Sequence, residues 1–352
     1  MIKVKKIVSA LISLLVLFSI SYLIFIFPFD VLSSWLGSPT TLPASLLGTT
    51  LVFVSCLYYF RSKSTNKLIK FFVYEGFGIG TVSFIIILPL ILVSYFQILL
   101  DYQLVIIFFF IQIPTIIYGY INSKKIKTKK LLIESNLINK NIKFVFISDV
   151  HIGSNHPSSL KKLVSKINVL EFNFLVIGGD LIDSSSFKIN DLYEFKKIKK
   201  PIFFVTGNHE YYIQNYNKHL KDLHKVGIKT LDNESIRLGE LNLIGLCDNI
   251  TNKSKVAYVE KLSQKNSFNL LIVHKPSIWK KVSKNANLML SGHTHNGQIF
   301  PFNYVVKLQF PQNYGLYKNV NNYLYVSSGS GTWGPKIRIG SNNEIIHIEL
   351  KN

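Results

Sequence analysis

Hydrophobic and polar positions divide the chain into two regions with different patterns. Residues 1–121 contain nearly all of the long apolar runs. Four stretches are long enough to cross a bilayer core, which requires roughly 20 residues per helix, and they cover residues 7–29, 43–60, 77–100 and 104–121. Because almost no charged residue lies inside these stretches, the pattern predicts an all-α bundle of about four transmembrane helices.

The pattern changes after a basic stretch, residues 122–141, which is predicted to be a linker. Short apolar runs then alternate with amphipathic segments. Strands are predicted at residues 142–148, 174–177, 202–206, 241–246, 269–273, 286–290 and 323–326, and helices at 158–170 and 191–198. Strands that alternate with helices indicate a layered α/β domain, which we expect to cover residues 142–352.

Lysine and arginine residues near the apolar stretches indicate an orientation. They precede the first stretch, separate the second from the third and follow the fourth: Lys3, Lys5, Lys6; Arg61, Lys63, Lys67, Lys70; Lys124, Lys125, Lys127, Lys129, Lys130. The connections at residues 30–42 and 101–103 contain neither. The positive-inside rule therefore predicts a multi-pass protein of the cell membrane with a cytoplasmic C-terminal domain. A signal peptide is an alternative for the first stretch, but no small-residue cleavage site follows it.

The basic charge of the chain has two interpretations. The formal net charge is +21, of which +12 belongs to residues 131–352. A basic domain beside a membrane would be attracted to anionic headgroups and to phosphorylated substrates. Solvated lysines on ordinary surfaces explain the same number equally well. The two cysteines, Cys56 and Cys247, form no metal-binding cluster.

Polar side chains follow five of the predicted strands. In chain order they are Asp149 and His151, Asp180, Asn208 with His209 and Glu210, His274, and His293 with His295. Ligands of layered α/β sheets bind at the carboxyl ends of the strands, and this mixture of imidazole, carboxylate and amide suits Mn²⁺, Fe²⁺ or Zn²⁺. Two such ions can clamp a phosphoryl group and lower the pKa of bound water. The pattern therefore predicts phosphoester hydrolysis by a metal-bridging hydroxide.

The order of these motifs resembles that of the calcineurin-like metallophosphoesterases over about residues 143–350. The matching segments are Asp149-x-His151, Gly179-Asp180, Gly207-Asn208-His209-Glu210, His274 and Gly292-His293-x-His295. The tail resembles a membrane-associated bacterial subgroup through Tyr314-Gly315-Leu316-Tyr317, Gly329-Ser330-Gly331-Thr332, Pro335 and Arg338. This resemblance implies a four-layer αββα sandwich with a dinuclear metal site.

The resemblance also implies a role for each site residue. One ion is expected on Asp149, His151, Asp180 and His295, and the other on Asp180, Asn208, His274 and His293, so that Asp180 bridges the two. His209 is expected to contact the substrate phosphate, as is Asn208, and to protonate the leaving group. Glu210 is expected to orient His209, and Gln298 to support the site. From the sequence, core packing is the expected role of Trp279 and Trp333, and lining a substrate cleft is the alternative.

The sequence leaves three functions open. The leading one is hydrolysis of a phosphomonoester or phosphodiester of a small molecule or a lipid. A nuclease or nucleotide pyrophosphatase would use the same metals, but no interleaved arginine and aromatic pattern marks a nucleic-acid channel. A membrane scaffold with a non-catalytic metal site is the third, although such proteins lose ligands and all seven expected ligand positions are filled here.

Overall fold

The structure, a computed structural model, describes residues 2–62 and 66–352, so the predicted basic residue Lys63 lies outside the described residues. The chain divides into two compact units. The first comprises Met1–Ile121 with Gly334–Ile337, and the second comprises Asn122–Trp333 with Arg338–Asn352.

The first unit is helical. Its helices are α1 (Ile2–Ser21), a π-helical segment (Tyr22–Ile26), α2 (Phe27–Trp35), α3 (Leu42–Ser62), α4 (Lys67–Tyr95) and α5 (Asp101–Ser123), the last of which ends in the second unit. Among the residues that the structure describes, four segments are long and apolar enough to cross a membrane, namely Ile7–Trp35, Leu42–Ser62, Lys67–Tyr95 and Asp101–Ser123. The four predicted apolar helices are thereby confirmed.

The first apolar segment is longer than predicted. It continues beyond Phe29 to Trp35, so Asp30 lies within α2 rather than in the expected connection. The Asp30 carboxylate accepts hydrogen bonds from the hydroxyls of Thr40 (2.5 Å) and Ser45 (2.9 Å). These two donors satisfy the carboxylate, which lets the helix continue through an acidic residue.

The second unit contains twelve strands in two sheets. The strands are β1 (Ile126–Glu134), β2 (Ile142–Ile147), β3 (Phe174–Gly178), β4 (Ile202–Val205), β5 (Ile228–Thr230), β6 (Glu234–Leu238), β7 (Leu241–Leu246), β8 (Phe268–Val273), β9 (Leu288–Ser291), β10 (Gly315–Asn319), β11 (Asn322–Val326) and β12 (Asn343–Lys351). One sheet has the order β1-β12-β2-β3-β4-β5, and the other has the order β10-β11-β9-β8-β7-β6. Strands β2 to β5 are parallel neighbours, and so are β7, β8, β9 and β11.

Helices connect the strands of this unit. They are α6 (Ser158–Asn168), α7 (His209–Tyr212), α8 (Tyr216–Asp222), α9 (Asn252–Leu262), α10 (Trp279–Val282) and α11 (Phe302–Gln309). Apolar residues of α6 pack on the first sheet, and those of α9 and α10 pack on the second. A third core lies between the sheets, where the Phe144 and Phe174 rings stack with their centroids 4.9 Å apart. These layers are the αββα sandwich that the resemblance implied.

One sequence prediction about this unit was wrong, and the structure refines another. The expected linker at residues 122–141 contains β1, which pairs in parallel with β12. Leu131 and Ile133 are buried and alternate with exposed residues, so the stretch forms an edge strand despite its lysines. The segment predicted as a helix at 191–198 is a 3₁₀ helix, Ile189–Lys197.

Candidate metal centre

The predicted site residues lie just beyond the carboxyl ends of five strands. Strands β2, β3 and β4 are neighbours in one sheet, and β8 and β9 are neighbours in the other. The loops after them place seven of the eight predicted metal-binding and catalytic residues in one cluster: Asp149, His151, Asp180, His209, His274, His293 and His295. The eighth, Asn208, lies in the loop after β4, directly before His209. The cluster therefore combines donors from both sheets of the sandwich.

One group of donor atoms comes from Asp149, His151 and His295. The Nε2 atoms of the two histidines are 3.1 Å apart. Oδ1 of Asp149 lies 3.4 Å from Nε2 of His295 and 3.9 Å from Nε2 of His151. All three side chains are buried or nearly so, so their polar atoms face one another rather than water.

A second group comes from Asp180, His274 and His293, whose donor atoms lie within 4.8 Å of one another. Oδ2 of Asp180 is 3.0 Å from Nε2 of His274 and 3.9 Å from Nε2 of His151. Because His151 belongs to the first group, the Asp180 carboxylate faces both groups. This is the position that a bridging ligand requires.

The electrostatics of the second group favour a cation. Burial lowers the pKa of His274, but the nearby Asp180 and Asp149 carboxylates outweigh it and raise the pKa to about 10. Burial raises the pKa of Asp180, but the surrounding histidines hold it well below its ordinary value. A positive charge between these two side chains is therefore strongly stabilised.

The arrangement of lone pairs fits bound metal ions. Nδ1 of His274 donates a hydrogen bond to the carbonyl oxygen of Gly178 (2.8 Å), so Nε2 is the ring nitrogen that faces Asp180 and that would offer its lone pair to a metal in place of a proton. The side-chain oxygen of Asn208 is buried without a hydrogen-bond partner among the described residues. A cation between buried lone pairs that face one another stabilises them, and nitrogen with oxygen donors suits borderline divalent ions.

The backbone of the site is held in an uncommon conformation. Five of the predicted metal-binding residues have positive φ: Asp149 (54°), His151 (51°), Asp180 (51°), His293 (74°) and His295 (49°). Residues other than glycine adopt this region at a cost, and such residues concentrate at functional sites. A Cβ atom at Gly207 would overlap the Asp180 carboxylate, and one at Gly292 would overlap the Asp149 carboxylate. Because Gly207 and Gly292 have no side chain, their backbones can lie close to the carboxylates of Asp180 and Asp149.

Glu210 supports the site differently from the prediction. Its buried carboxylate accepts hydrogen bonds from the backbone N–H groups of Gly207 (2.7 Å), Ile182 (2.9 Å) and Asp180 (3.1 Å). The expectation that Glu210 orients the His209 side chain is therefore wrong, because its oxygens are directed at the backbone. Glu210 instead joins the loop after β3 to the loop after β4 and fixes the backbone of Asp180.

Asp183 is a site residue that the sequence analysis missed. Oδ2 of Asp183 lies 3.2 Å from Nδ1 of His151, and the backbone N–H of Ser154 donates to Oδ1 (2.7 Å). Burial raises the pKa of Asp183, but His151 outweighs it and lowers the pKa to about 2. A carboxylate at Nδ1 favours the proton there and leaves Nε2 for a metal. The sequence offered one indication of this role: Asp183 lies only three residues after the predicted ligand Asp180.

Arg338 was predicted only as a mark of the subgroup, yet it is fully buried beside the site. Its guanidinium donates to the carbonyl oxygens of Ser328 (2.6 Å) and Gly331 (2.7 Å) and to that of His295 (3.3 Å). Burial lowers the pKa of Arg338 to about 10. One side chain therefore holds the loop after β11 against the loop that carries His295.

His209 is partly accessible, with 15% of its side chain exposed. Its ring makes edge contacts with the rings of Tyr212 (5.2 Å) and Trp333 (5.5 Å). The Gln298 side chain donates to the Trp333 carbonyl oxygen and accepts from its N–H, both at 3.0 Å. Core packing was the wrong expectation for Trp333, which is 41% exposed, whereas Trp279 is buried as expected.

Comparison with known proteins matches this site to a family. The profile described as "Calcineurin-like phosphoesterase" matches residues 142–297. An uncharacterized metallophosphoesterase of Campylobacter jejuni is 35% identical over 252 residues, which cover 67% of each chain. The chain belongs to the calcineurin-like metallophosphoesterase family. The predicted family resemblance is confirmed, and family membership makes the chain a metal-dependent hydrolase of phosphoester bonds.

Other metallophosphoesterases share part of the chain. One from Helicobacter pylori is 34% identical over 236 residues, or 64% of each chain. A transmembrane protein with a metallophosphoesterase domain from Danio rerio is 30% identical over 60% of this chain and 53% of its own length. Among solved structures, a dimetal phosphatase from Danio rerio aligns over 53% of this chain and 87% of its own, with 12% identity and a TM-score of 0.39. The matches to the Campylobacter, Helicobacter and transmembrane Danio relatives thus cover between 53% and 67% of the length of those proteins.

Glu210→Gln is expected to destabilise the metallophosphoesterase unit by about 1–3 kcal/mol, because the amide N–H₂ would face a backbone donor in a buried site. Urea unfolding of the purified chain in detergent, followed by tryptophan fluorescence, measures the change. Glu260→Gln alters an exposed glutamate and should leave the midpoint unchanged. Equal midpoints for both variants would show that the three hydrogen bonds to Glu210 contribute little.

Proposed function

We propose that this metallophosphoesterase is anchored in a membrane and hydrolyses a phosphomonoester or phosphodiester at a pair of divalent cations. The observation that carries the proposal is the convergence of two buried donor groups on Asp180, whose Oδ2 lies 3.0 Å from His274 and 3.9 Å from His151. A phosphorylated small molecule or lipid is the proposed substrate class, since the positive centre favours an anionic phosphate.

The proposed ligands divide between two ions. Asp149, His151, Asp180 and His295 would hold one ion, and Asp180, Asn208, His274 and His293 would hold the other. The distances within the two donor groups support this division. When bound, divalent ions such as Mn²⁺, Fe²⁺ or Zn²⁺ lower the pKa of coordinated water and neutralise charge on the phosphoryl oxygens. Asp183 and Glu210 would keep the ligands in place.

His209 is the proposed general acid. Its backbone N–H donates to Oδ1 of Asp180 (2.9 Å), and its Nε2 atom lies 4.0 Å from Oδ2 of the same residue. The ring is therefore fixed beside the proposed bridging ligand while remaining partly open to solvent. A substrate phosphate bound at the proposed ions, beside Asp180, would place its leaving oxygen within reach of this imidazole, which could supply the proton. Asn208, one residue earlier, is proposed to contact the same phosphate.

Asp180→Asn is expected to reduce hydrolysis of a chromogenic phosphate ester by about 1000-fold or more, because both proposed ions lose a charged ligand. Initial rates of the purified chain with added Mn²⁺ measure the effect, and a chelator should abolish the wild-type rate. Asp222→Asn, a change at a surface ion pair with Lys225, should retain the full rate.

This experiment also separates the three functions left open by the sequence. A wild-type chain that binds Mn²⁺ but hydrolyses no ester, dinucleotide or DNA in a substrate panel would indicate a scaffold. Preferred cleavage of DNA or nucleotide pyrophosphates would indicate the second enzyme class. Full activity of Asp180→Asn would contradict the proposed site itself.

His209→Ala is expected to retain bound metal and lose turnover, because the imidazole is proposed to act on the leaving group rather than on the ions. The loss should be about 100-fold for phenyl phosphate, a poor leaving group that needs a proton. It should be smaller for p-nitrophenyl phosphate, whose phenolate leaves unprotonated. Metal content by mass spectrometry and rates with both esters test this, with the exposed His224→Ala as the control. Equal losses for both esters would exclude a general acid at residue 209.

The membrane anchor is the second part of the proposal. Four apolar helices support it, as do the basic residues that lie on one side of the predicted bundle. The relatives named as transmembrane proteins in Danio rerio and Bos taurus agree with membrane association. We propose a cell-membrane location with the metallophosphoesterase unit in the cytoplasm.

Reporter fusions measure this orientation. Green fluorescent protein fused after Asn352 should fluoresce, and alkaline phosphatase at the same position should be inactive, because the first folds in the cytoplasm and the second folds outside. Fusions after Ser38, between α2 and α3, should show the reverse. Active alkaline phosphatase after Asn352 would place the domain outside the cytoplasm.

A further inference from the structure

Helix α11 of the metallophosphoesterase unit carries large apolar side chains that are exposed. Phe302, Tyr304, Val305 and Leu308 are each about half exposed or more, and Leu308 reaches 85%. Val305 lies three residues from both Phe302 and Leu308, and Tyr304 lies four residues from Leu308, so these side chains are neighbours that cover about half of the helix circumference. Phe300, two residues before the helix, adds a fifth exposed apolar side chain. A contiguous patch of this kind marks an interaction surface, whereas single exposed apolar residues do not.

The apolar helix is attached directly to the metal centre. The Phe310 ring, immediately after α11, makes an edge contact with the His293 ring at 5.0 Å. Thr294, between the two histidines of this motif, donates its hydroxyl to the Asn313 carbonyl oxygen (2.5 Å), and the Asn313 amide donates to the Asn303 carbonyl oxygen (3.3 Å). Whatever binds the exposed side of α11 therefore lies beside the proposed catalytic site.

The chemistry of the patch favours a lipid surface over a protein partner. Its apolar side chains include the aromatic residues Phe300, Phe302 and Tyr304, and Lys307 is exposed on the same helix. Aromatic residues with a neighbouring basic residue are typical of helices that lie in the plane of a membrane interface. Eight residues form a helix of about 12 Å, which is too short to span a bilayer.

The connectivity of the chain points to the same partner. Helix α5, the fourth candidate membrane span, ends at Ser123, and β1 begins at Ile126. Only Lys124 and Lys125 separate them, and an extended connection of this length reaches only about 10 Å. If α5 crosses a bilayer, the unit that follows is confined to the bilayer surface. The net charge of +21 complements anionic headgroups.

We propose that α11, together with Phe300, inserts into the headgroup layer of the bilayer and brings the metal centre to phosphate groups of membrane lipids. This inference rests on the proposed membrane anchor. The apolar side chains would enter the boundary between headgroups and acyl chains, while Lys307 would contact lipid phosphates. The lipid-phosphate substrate class then follows from the position of Phe310 and His293 next to this helix.

Lipid-nitroxide quenching of a fluorescent label tests the insertion on the full chain in nanodiscs of zwitterionic and anionic lipids. The native Cys56 and Cys247 are both buried, so a thiol-reactive dye should label Leu308→Cys selectively, with the unsubstituted chain as the blank. Val169→Cys is the matched control, because Val169 is 81% exposed and flanks a different helix. Nitroxide lipids should quench the label at residue 308 at least roughly twofold more than the label at residue 169.

Two outcomes would overturn the proposal. Equal quenching at both positions would show that α11 faces water. Shielding of residue 308 from both nitroxide lipids and aqueous iodide would show that a protein surface covers the helix. Failure of the anchor is distinguishable, because the chain would then elute apart from the nanodiscs in size-exclusion chromatography.

A second variant tests the consequence for the substrate. Leu308→Glu places a charge in the proposed lipid contact without removing a buried group. It should raise the KM for a phosphorylated lipid in vesicles by about tenfold, since a charged residue opposes insertion, and leave the rate with a soluble chromogenic ester unchanged. Val169→Glu should change neither. An unchanged KM for the lipid in Leu308→Glu would contradict a role of α11 in lipid access.

Discussion

The burial of the Asp149 and Asp180 carboxylates among histidines is the constraint on which the rest of the structure depends. Both side chains are almost fully excluded from water. An isolated buried carboxylate is costly, and two in one cluster also repel each other. Histidines 274 and 209 offset this around Asp180 and lower its pKa. The donor geometry is therefore that of a cation site, which agrees with membership in the metallophosphoesterase family.

The supporting residues act on the backbone as much as on side chains. Glu210 gathers three N–H groups from two loops, and Arg338 gathers carbonyl oxygens from two others. Five predicted ligands have positive φ, a conformation that needs compensation elsewhere. The buried hydrogen bonds of Glu210 and Arg338 to the backbone stabilise the loops that carry these residues. Asp183 supports the side chain of His151 through Nδ1, the ring nitrogen opposite the one that faces His295.

The accessible side of the site combines polar chemistry with apolar surface. His209 lies between the exposed rings of Tyr212 and Trp333, while Phe310 covers His293 and leads to the apolar helix α11. The described part of the same chain includes four apolar helices that are long enough to cross a membrane. Both features agree with chemistry carried out at a lipid surface.

The sequence alone determined the division into apolar helices and a layered α/β unit, because hydrophobic periodicity is a local property. It also determined the identity of the clustered residues, since strand ends in such sheets meet along one edge. Only the tertiary structure decided that residues 126–134 join β12 as an edge strand and that Glu210 binds backbone N–H groups rather than His209. It also decided that Asp183 contacts His151 and that Arg338 contacts His295. It also decided that Trp333 and α11 are exposed. Each of these depends on which distant segment lies opposite a side chain, and no local pattern of polarity encodes that partner.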